Sequence, residues 1–280
     1  DHIFDDFKKI EEFPDFKYFK KYLLNHDNVE SRFYLGLMHQ DGISFNKDTN
    51  EAIRYYESIA DKNANAAFNL GTIYKLTSNI DKSIEFFEKS RDIYAAKFNL
   101  GTIYANKKDY QRAIELYQEA GRDGFIAAAY HNLALIYCTV DEYKNSENSI
   151  YIALDYFKQA ANLGLVNSNY NAGVILYQLK RFDEAEKYLL ICSQRDFSNA
   201  FYTLSFIYNS RGDTEKTRYY LERAAQLLNQ KALFKLSDPS SNDDINITYC
   251  YVTLFMLTRP NDDSKDYFDK TANTDHKLDS

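Results

Sequence analysis

Small, aromatic and polar side chains alternate along this chain in a pattern that returns several times. The clearest instance is FNLGTIY, found at residues 68–74 and again, thirty residues later, at 98–104. Aligning on the small residue after its leucine gives six copies of one slot: Gly36, Gly71, Gly101, Ala134, Gly173 and Ser205. Five residues earlier each copy has another small residue (Ser31, Ala66, Ala96, Ala129, Ser168, Ala200), and three residues earlier a ring (Phe33, Phe68, Phe98, His131, Tyr170, Tyr202). Three residues later stand Tyr74, Tyr104, Tyr137 and Tyr208, with His39 and Leu176 as exceptions. Offsets of three, four and five put these positions on adjoining strips of a helix, so each copy is predicted to open with a helix that has one small-residue face and one aromatic face.

A second helix is predicted in each copy from a small residue, a bulky one four later and a usually small one seven later. Ala113, Tyr117 and Ala120 form one such set, and Ala153, Phe157 and Ala160 another. Two antiparallel helices joined by a short turn approach closely only where no bulky side chain stands between them, and large rings fill the space beside the crossing. From the aligned small residue to that of the second helix the separation is twelve in four copies, sixteen in the first (Gly36 to Ala52) and nineteen in the fourth (Ala134 to Ala153). A repeat of this kind predicts an all-α stack of helix pairs.

The twelve-residue copies resemble tetratricopeptide repeats, as NLGTIYANKKDYQRAIELYQEA (residues 99–120) and AGVILYQLKRFDEAEKYLLIC (residues 172–192) show. The first copy, YLGLMHQDGISFNKDTNEAIRYYESIA (residues 34–60), resembles the related Sel-one-like repeat, whose longer turn carries a glycine, a hydrophobic residue and an aspartate; Gly42, Phe45 and Asp48 take those places. The fourth copy ends ALDYFKQAANLG, also Sel-one-like. The resemblance spans residues 28–236 and implies a right-handed α–α superhelix of about six helix-turn-helix repeats with terminal capping helices. Two departures stand out: the proline that often closes a tetratricopeptide repeat is absent, and the fourth turn (residues 139–152) is longer than either family's norm.

End repeats leave an apolar face uncovered and need caps. Residues 1–27 supply one, with Phe4, Phe7, Ile10 and Phe13 and then Phe16, Phe19 and Leu23 at helical spacing, and Pro14 suited to start a helix. At the other end Ala232, Phe234, Leu236 and Ser237 restart the first-helix pattern, Pro239 cuts it short, and the apolar run 245–258 is expected to close the stack within a cap and polar tail over 237–280.

Composition narrows the rest. Three prolines, nine glycines, 25 tyrosines and 20 phenylalanines in 280 residues suit long helices packed through rings. A net charge of -7 disfavours nucleic acid as a partner. The widely separated Cys138, Cys192 and Cys250 offer neither a disulfide framework nor zinc-ligand spacing and are expected as buried thiols. The longest uncharged stretch, residues 124–140, holds His131 and Asn132 and is too short to span a membrane, so it is expected as a buried helix. The sequence opens without methionine or a charged-then-apolar leader, as a processed or trimmed form would, which leaves a soluble location in cytoplasm or periplasm open.

No phosphate loop, GxSxG turn or HExxH pair is present, so neither enzyme, cofactor nor metal is expected. His39 and His131 occupy slots of aromatic residues and are expected to pack. What recurs beyond the needs of packing is asparagine two residues before the aligned slot, at Asn69, Asn99, Asn132 and Asn171. In the tetratricopeptide superfamily the first helices line a concave groove and an asparagine here often meets a ligand's main chain, so the resemblance makes these four residues a peptide ladder. An amide donates and accepts at once, which matches an extended backbone, although the same amide could equally bond to a neighbouring helix. Asn65, Ala95, Ala128 and Asn167 stand where a lysine clamp for a terminal carboxylate would need cations. The expectation is a non-enzymatic scaffold for a protein or extended peptide. Resemblance to Sel-one-like proteins implies a bacterial adaptor in envelope, secretion or host-interaction processes, with virulence in view, or else an immunity protein that neutralises one toxin.

Overall fold

The computed structural model describes residues 14–146 and 148–236. Among the described residues there are fifteen α-helices and no strand. The chain forms two compact units that divide between Leu133 and Ala134.

The N-terminal unit contains α1 (Pro14–Asn25), α2 (Val29–Asp41), α3 (Thr49–Glu57), α4 (Ala64–Leu76), α5 (Ile80–Lys89), α6 (Tyr94–Asn106) and α7 (Tyr110–Gly124). The division falls inside α8 (Ala127–Thr139). The C-terminal unit continues with α9 (Asp141–Lys144), α10 (Ser149–Asn162), α11 (Val166–Gln178), α12 (Phe182–Ser193), α13 (Ser198–Ser210), α14 (Thr214–Gln226) and α15 (Gln230–Leu236). Helices pair as the repeat predicts: α2 with α3, α4 with α5 and α6 with α7 in the first unit, α11 with α12 and α13 with α14 in the second. The long fourth turn holds the short helix α9, and the later half of α8 joins α10 in one core through Ala134, Ala153 and Phe157.

The aligned small slot does something more specific than let backbones approach. A Cβ on Gly36 would lie 2.5 Å from the ring of Tyr56, on Gly71 2.6 Å from Phe87, on Gly101 2.9 Å from Tyr117 and on Gly173 2.7 Å from the Leu189 side chain. In each pair the bulky residue of the second helix therefore sits in the space that the missing side chain vacates. The ring three residues before the slot closes over it, with Phe33–Tyr56, Phe68–Phe87 and Phe98–Tyr117 centroids 6.0, 5.8 and 5.8 Å apart. Among the described residues, Tyr56, Phe87, Tyr117 and Phe157 are among the most deeply buried large side chains. A small side chain of the second helix also reaches the first helix directly, since Ser83 Oγ donates to the Gly71 carbonyl at 2.8 Å.

Turns follow two chemistries. In the first copy Gly42 adopts a left-handed conformation after α2, Phe45 stacks on His39 at 4.2 Å, and Asp48 caps α3 by accepting from the amides of Asn50 and Glu51. In the twelve-residue copies the left-handed position falls seven residues after the aligned slot, at Ser78, Lys108, Lys180 and Gly212. The next amide then bonds back to the first helix, as in Asp109 N–H to the Tyr104 carbonyl at 2.9 Å and Arg181 N–H to that of Leu176 at 2.9 Å. Asn79, Asp109 and Asp213 cap the second helices that follow.

Several expectations need adjustment. The stripe of Phe16, Phe19 and Leu23 on α1 buries only Leu23, because Phe19 stands 40% exposed and edge-on to Tyr34. The uncharged α8 is not wholly buried: one side of it, including Leu135 and Thr139, faces out. Cys192 is buried and its thiol is pushed up to about 11 by desolvation, whereas Cys138 is only half-buried. Phe4, Phe7, Ile10, Phe13, the side chain of Phe234, Ser237, Cys250 and the apolar run 245–258 lie outside the described residues.

Candidate binding face

Each first helix turns one strip toward its second helix and leaves another, made of residues at offsets of three, four and seven, half-exposed. On α4 this strip holds Phe68, Asn69, Thr72 and Lys75, and on α6 Phe98, Asn99 and Thr102, all half-buried. His131 and Asn132 occupy the same place at the start of α8. Thr72 and Thr102 give their hydroxyl protons to the carbonyls of Phe68 and Phe98, one turn back in their own helices.

The asparagines divide into two kinds. Asn132 donates through Nδ2 to the Tyr117 hydroxyl at 3.1 Å, and that hydroxyl donates onward to Thr102 Oγ1 at 3.2 Å. Asn69 likewise hydrogen-bonds the hydroxyl of Tyr56, which donates to Gln40 Oε1 at 3.0 Å. Both phenols are pushed above their ordinary range, chiefly by burial, while the amide bonds pull in the other direction. These two amides are thus aimed by the preceding helix pair, and each keeps its carbonyl oxygen and one N–H uncommitted to that bond.

Asn99 follows Phe87, which has no hydroxyl to offer. Its Nδ2 donates instead to the Ala95 carbonyl at 2.9 Å, and its Oδ1 accepts from Lys75 Nζ at 2.7 Å, across the gap between α4 and α6. Asn171, on α11 of the C-terminal unit, follows Phe157 in the same way and is half-buried. Asn69, Asn99 and Asn132 therefore share one unit, and Asn171 belongs to the other.

Charge is distributed unequally between the two helices of a pair. α4, α6, α8, α11 and α13 contain no aspartate or glutamate, and their only lysines or arginines are Lys75 and Lys97. Lys97 is neutralised by Glu119 at 2.7 Å. The second helices carry the ion pairs, such as Arg54 with Glu51 and Lys82 with Glu57. Links between successive pairs use the aligned tyrosines: Tyr74 donates to Glu57 at 2.8 Å and accepts from Lys82 at 3.0 Å, and in the other unit Tyr208 donates to Glu186, which Arg211 also holds at 2.6 Å.

Desolvation holds the His131 imidazole below its ordinary range. His39 is stacked between Phe45 and Tyr55, with centroids 4.2 and 5.7 Å away. Among the described residues no group of three or more histidine, cysteine, aspartate or glutamate side chains is placed to hold a metal ion, and no helix is long and apolar enough to cross a membrane.

The sequence pattern singles out the asparagines but not the groups they contact here, the Tyr56 and Tyr117 hydroxyls and Lys75. A signal existed, because the buried slot of the second helix reads Tyr, Phe, Tyr, Phe in the first four copies, and only tyrosine can reach the next asparagine.

The chain is similar to known repeat families along most of its described length. Models of the Sel1 repeat match residues 29–63, 127–165 and 209–227, and models of the tetratricopeptide repeat match 64–93, 90–125 and 166–197. No curated protein matches it. A Sel1 repeat protein from Oxalobacter formigenes is 26% identical over 71% of this chain and 88% of its own, with a TM-score of 0.54. The C-terminal part of a TPR repeat-containing protein from Cytophaga hutchinsonii is 14% identical over 86% and 99%, with a TM-score of 0.59, and Pseudomonas aeruginosa pilF is 16% identical over 71% and 91%, with a TM-score of 0.54. These two share the fold. None of the matched families is a catalytic one. With its first and fourth copies matching the Sel1 repeat and its second, third and fifth the tetratricopeptide repeat, the chain belongs to the Sel1 and tetratricopeptide repeat proteins.

Proposed function

We propose that this protein is a non-enzymatic scaffold that holds an extended segment of a protein partner on its first-helix faces, in a bacterial adaptor setting. Families of these repeats mediate protein–protein interaction, and the observation that supports a peptide here is the distribution of polar groups. Helices α4, α6 and α8 expose amides, hydroxyls and rings with no carboxylate and only two lysines, in a chain of net charge -7. Such a surface suits a backbone, whose N–H and C=O groups need neutral donors and acceptors, better than a phosphate chain, which needs clustered cations. Asn69, Asn99 and Asn132 in the first unit and Asn171 in the second are the proposed contacts.

The test is affinity capture from the source organism followed by calorimetry with the captured partner. Asn99→Ala combined with Asn132→Ala should weaken binding on the order of ten-fold or more, from lost hydrogen bonds of about 0.5–1.5 kcal/mol each, with the helical signal unchanged. Retained affinity with lost stability would assign both amides to the scaffold alone. An immunity protein would show one partner bound in the nanomolar range or tighter, and an adaptor several bound near micromolar.

A further inference from the structure

We propose that Lys75 and Asn99 form a subsite for a carboxylate side chain, aspartate or glutamate, carried by an extended peptide on the first-helix face of the N-terminal unit. The inference rests on the reading of that face as a peptide seat and adds what the peptide must contain.

Three observations point to it. Lys75 lies on the same strip of α4 as Phe68, Asn69 and Thr72 and is half-buried there. Among the described residues it has no carboxylate partner; its ammonium group reaches across to α6 and meets the neutral Oδ1 of Asn99 at 2.7 Å. Neither α4, α6 nor α8 contains a carboxylate, and the other lysine of these helices, Lys97, is already paired with Glu119. A half-buried cation held against a neutral amide on an otherwise uncharged face lacks the counter-charge that desolvation calls for.

The donor count fits a carboxylate. An ammonium has three N–H groups, and Asn99 takes one, leaving two; Asn99 Nδ2 spends one of its two on the Ala95 carbonyl and keeps the other. Those remaining donors belong to side chains already in hydrogen-bond contact, and a carboxylate accepts through both oxygens. A side chain is the source, rather than the end of a chain, because the strip continues past Lys75 on either side, to Asn69 on α4 and to Asn132 on α8. Asn65 and Ala95 moreover stand where cations would be needed for a terminus.

A randomised peptide library, displayed with its C-termini joined to the carrier, tests this on the full chain and on Lys75→Gln, which keeps a donor for Asn99 but removes the charge. The expected result is that peptides selected on the natural sequence share an aspartate or glutamate at one fixed position, and that Lys75→Gln does not select it. For one selected peptide, Lys75→Gln and replacement of the peptide's acid by its amide should each weaken binding about ten-fold or more, and the two together should cost little beyond either alone. Selected peptides without a shared acid, or bound equally by both forms of the protein, would overturn the subsite and leave the peptide face standing. Enrichment of acids only when the C-termini are free would overturn the side-chain assignment. Selection of no peptide at all would remove the face as a peptide seat and the subsite with it. Equal melting of the two proteins guards against a folding effect.

Discussion

At the scale of single residues, four of the helix pairs depend on one absent side chain, at Gly36, Gly71, Gly101 and Gly173. Gly101 is the clearest case, since an added Cβ would stand 2.9 Å from two ring carbons of Tyr117, a side chain only 2% exposed. Gly101→Leu should cost about 1–3 kcal/mol by overpacking, seen as a lower melting temperature. An unchanged melt would mean that the ring is not seated on the glycine. The aligned small slot was legible in the sequence because six copies keep it, but its partner was not. A repeated glycine states that something is close without saying what, and the ring that fills it is sixteen residues away in the next helix. Hydroxyls were less legible still. Tyr117 and Phe87 fill the same buried slot, and the single oxygen that separates them decides whether the following asparagine is aimed by a phenol or by a lysine.

At the scale of elements, the first helices are uniform and their turns are not. Pattern alone located the helices because small and aromatic residues recur at helical offsets; it could not locate some starts. Asn63 and Asn28 cap α4 and α2 by accepting from main-chain amides, yet α6, α11 and α13 begin after Ile93, Leu165 and Phe197, which have no side chain able to cap. Three of the left-handed turn residues were equally hidden, because serine or lysine stands at 78, 108 and 180 where glycine, as at Gly212, would announce the turn. Lys180, with φ of 58°, is exposed. A side chain pays about 1–2 kcal/mol in this region, and glycine returns about 0.5–1 of that through its freer unfolded chain. Lys180→Gly should therefore stabilise the C-terminal unit by about 0.5–1 kcal/mol, readable as a raised denaturation midpoint. A loss of stability would show that the lysine makes a contact worth more than the strain.

At the scale of the whole molecule, the abundance of tyrosine sets the response to alkali. Tyr56, Tyr117 and Tyr208 are all held above the ordinary phenol value of 10.0, burial being the largest cause in each. Below that value both the folded and the unfolded phenols keep their protons, and stability is unaffected. Above it the unfolded chain ionises while the folded phenols resist, so the folded state binds more protons and stability falls as pH rises. Denaturant titrations at increasing pH should show midpoints that decline from about pH 10 upward, with the share of phenolate absorbance that belongs to these three buried rings appearing together with unfolding. Full ionisation of these phenols with the helices intact would contradict their burial. A chain-wide feature that composition could not disclose is where the acids lie. The net charge of -7 was plain, but only the helix assignment shows that α4, α6, α8, α11 and α13 contribute no carboxylate to it.

The seating of a ring on a glycine has a consequence for how such a chain can grow. Both members of the contact lie within one helix pair, Gly71 with Phe87 and Gly101 with Tyr117, and the thirty residues between the two FNLGTIY segments amount to one pair. A gene segment of that length, copied or deleted in a single event, carries the cavity and its filling together and leaves no ring without a seat. The phenol–amide bonds behave differently, since Tyr56 meets Asn69 and Tyr117 meets Asn132 across the junction of one pair with the next. Recombination at those junctions is what would separate them, so the lineage can change its number of pairs cheaply but must re-match the polar residues wherever a new junction forms.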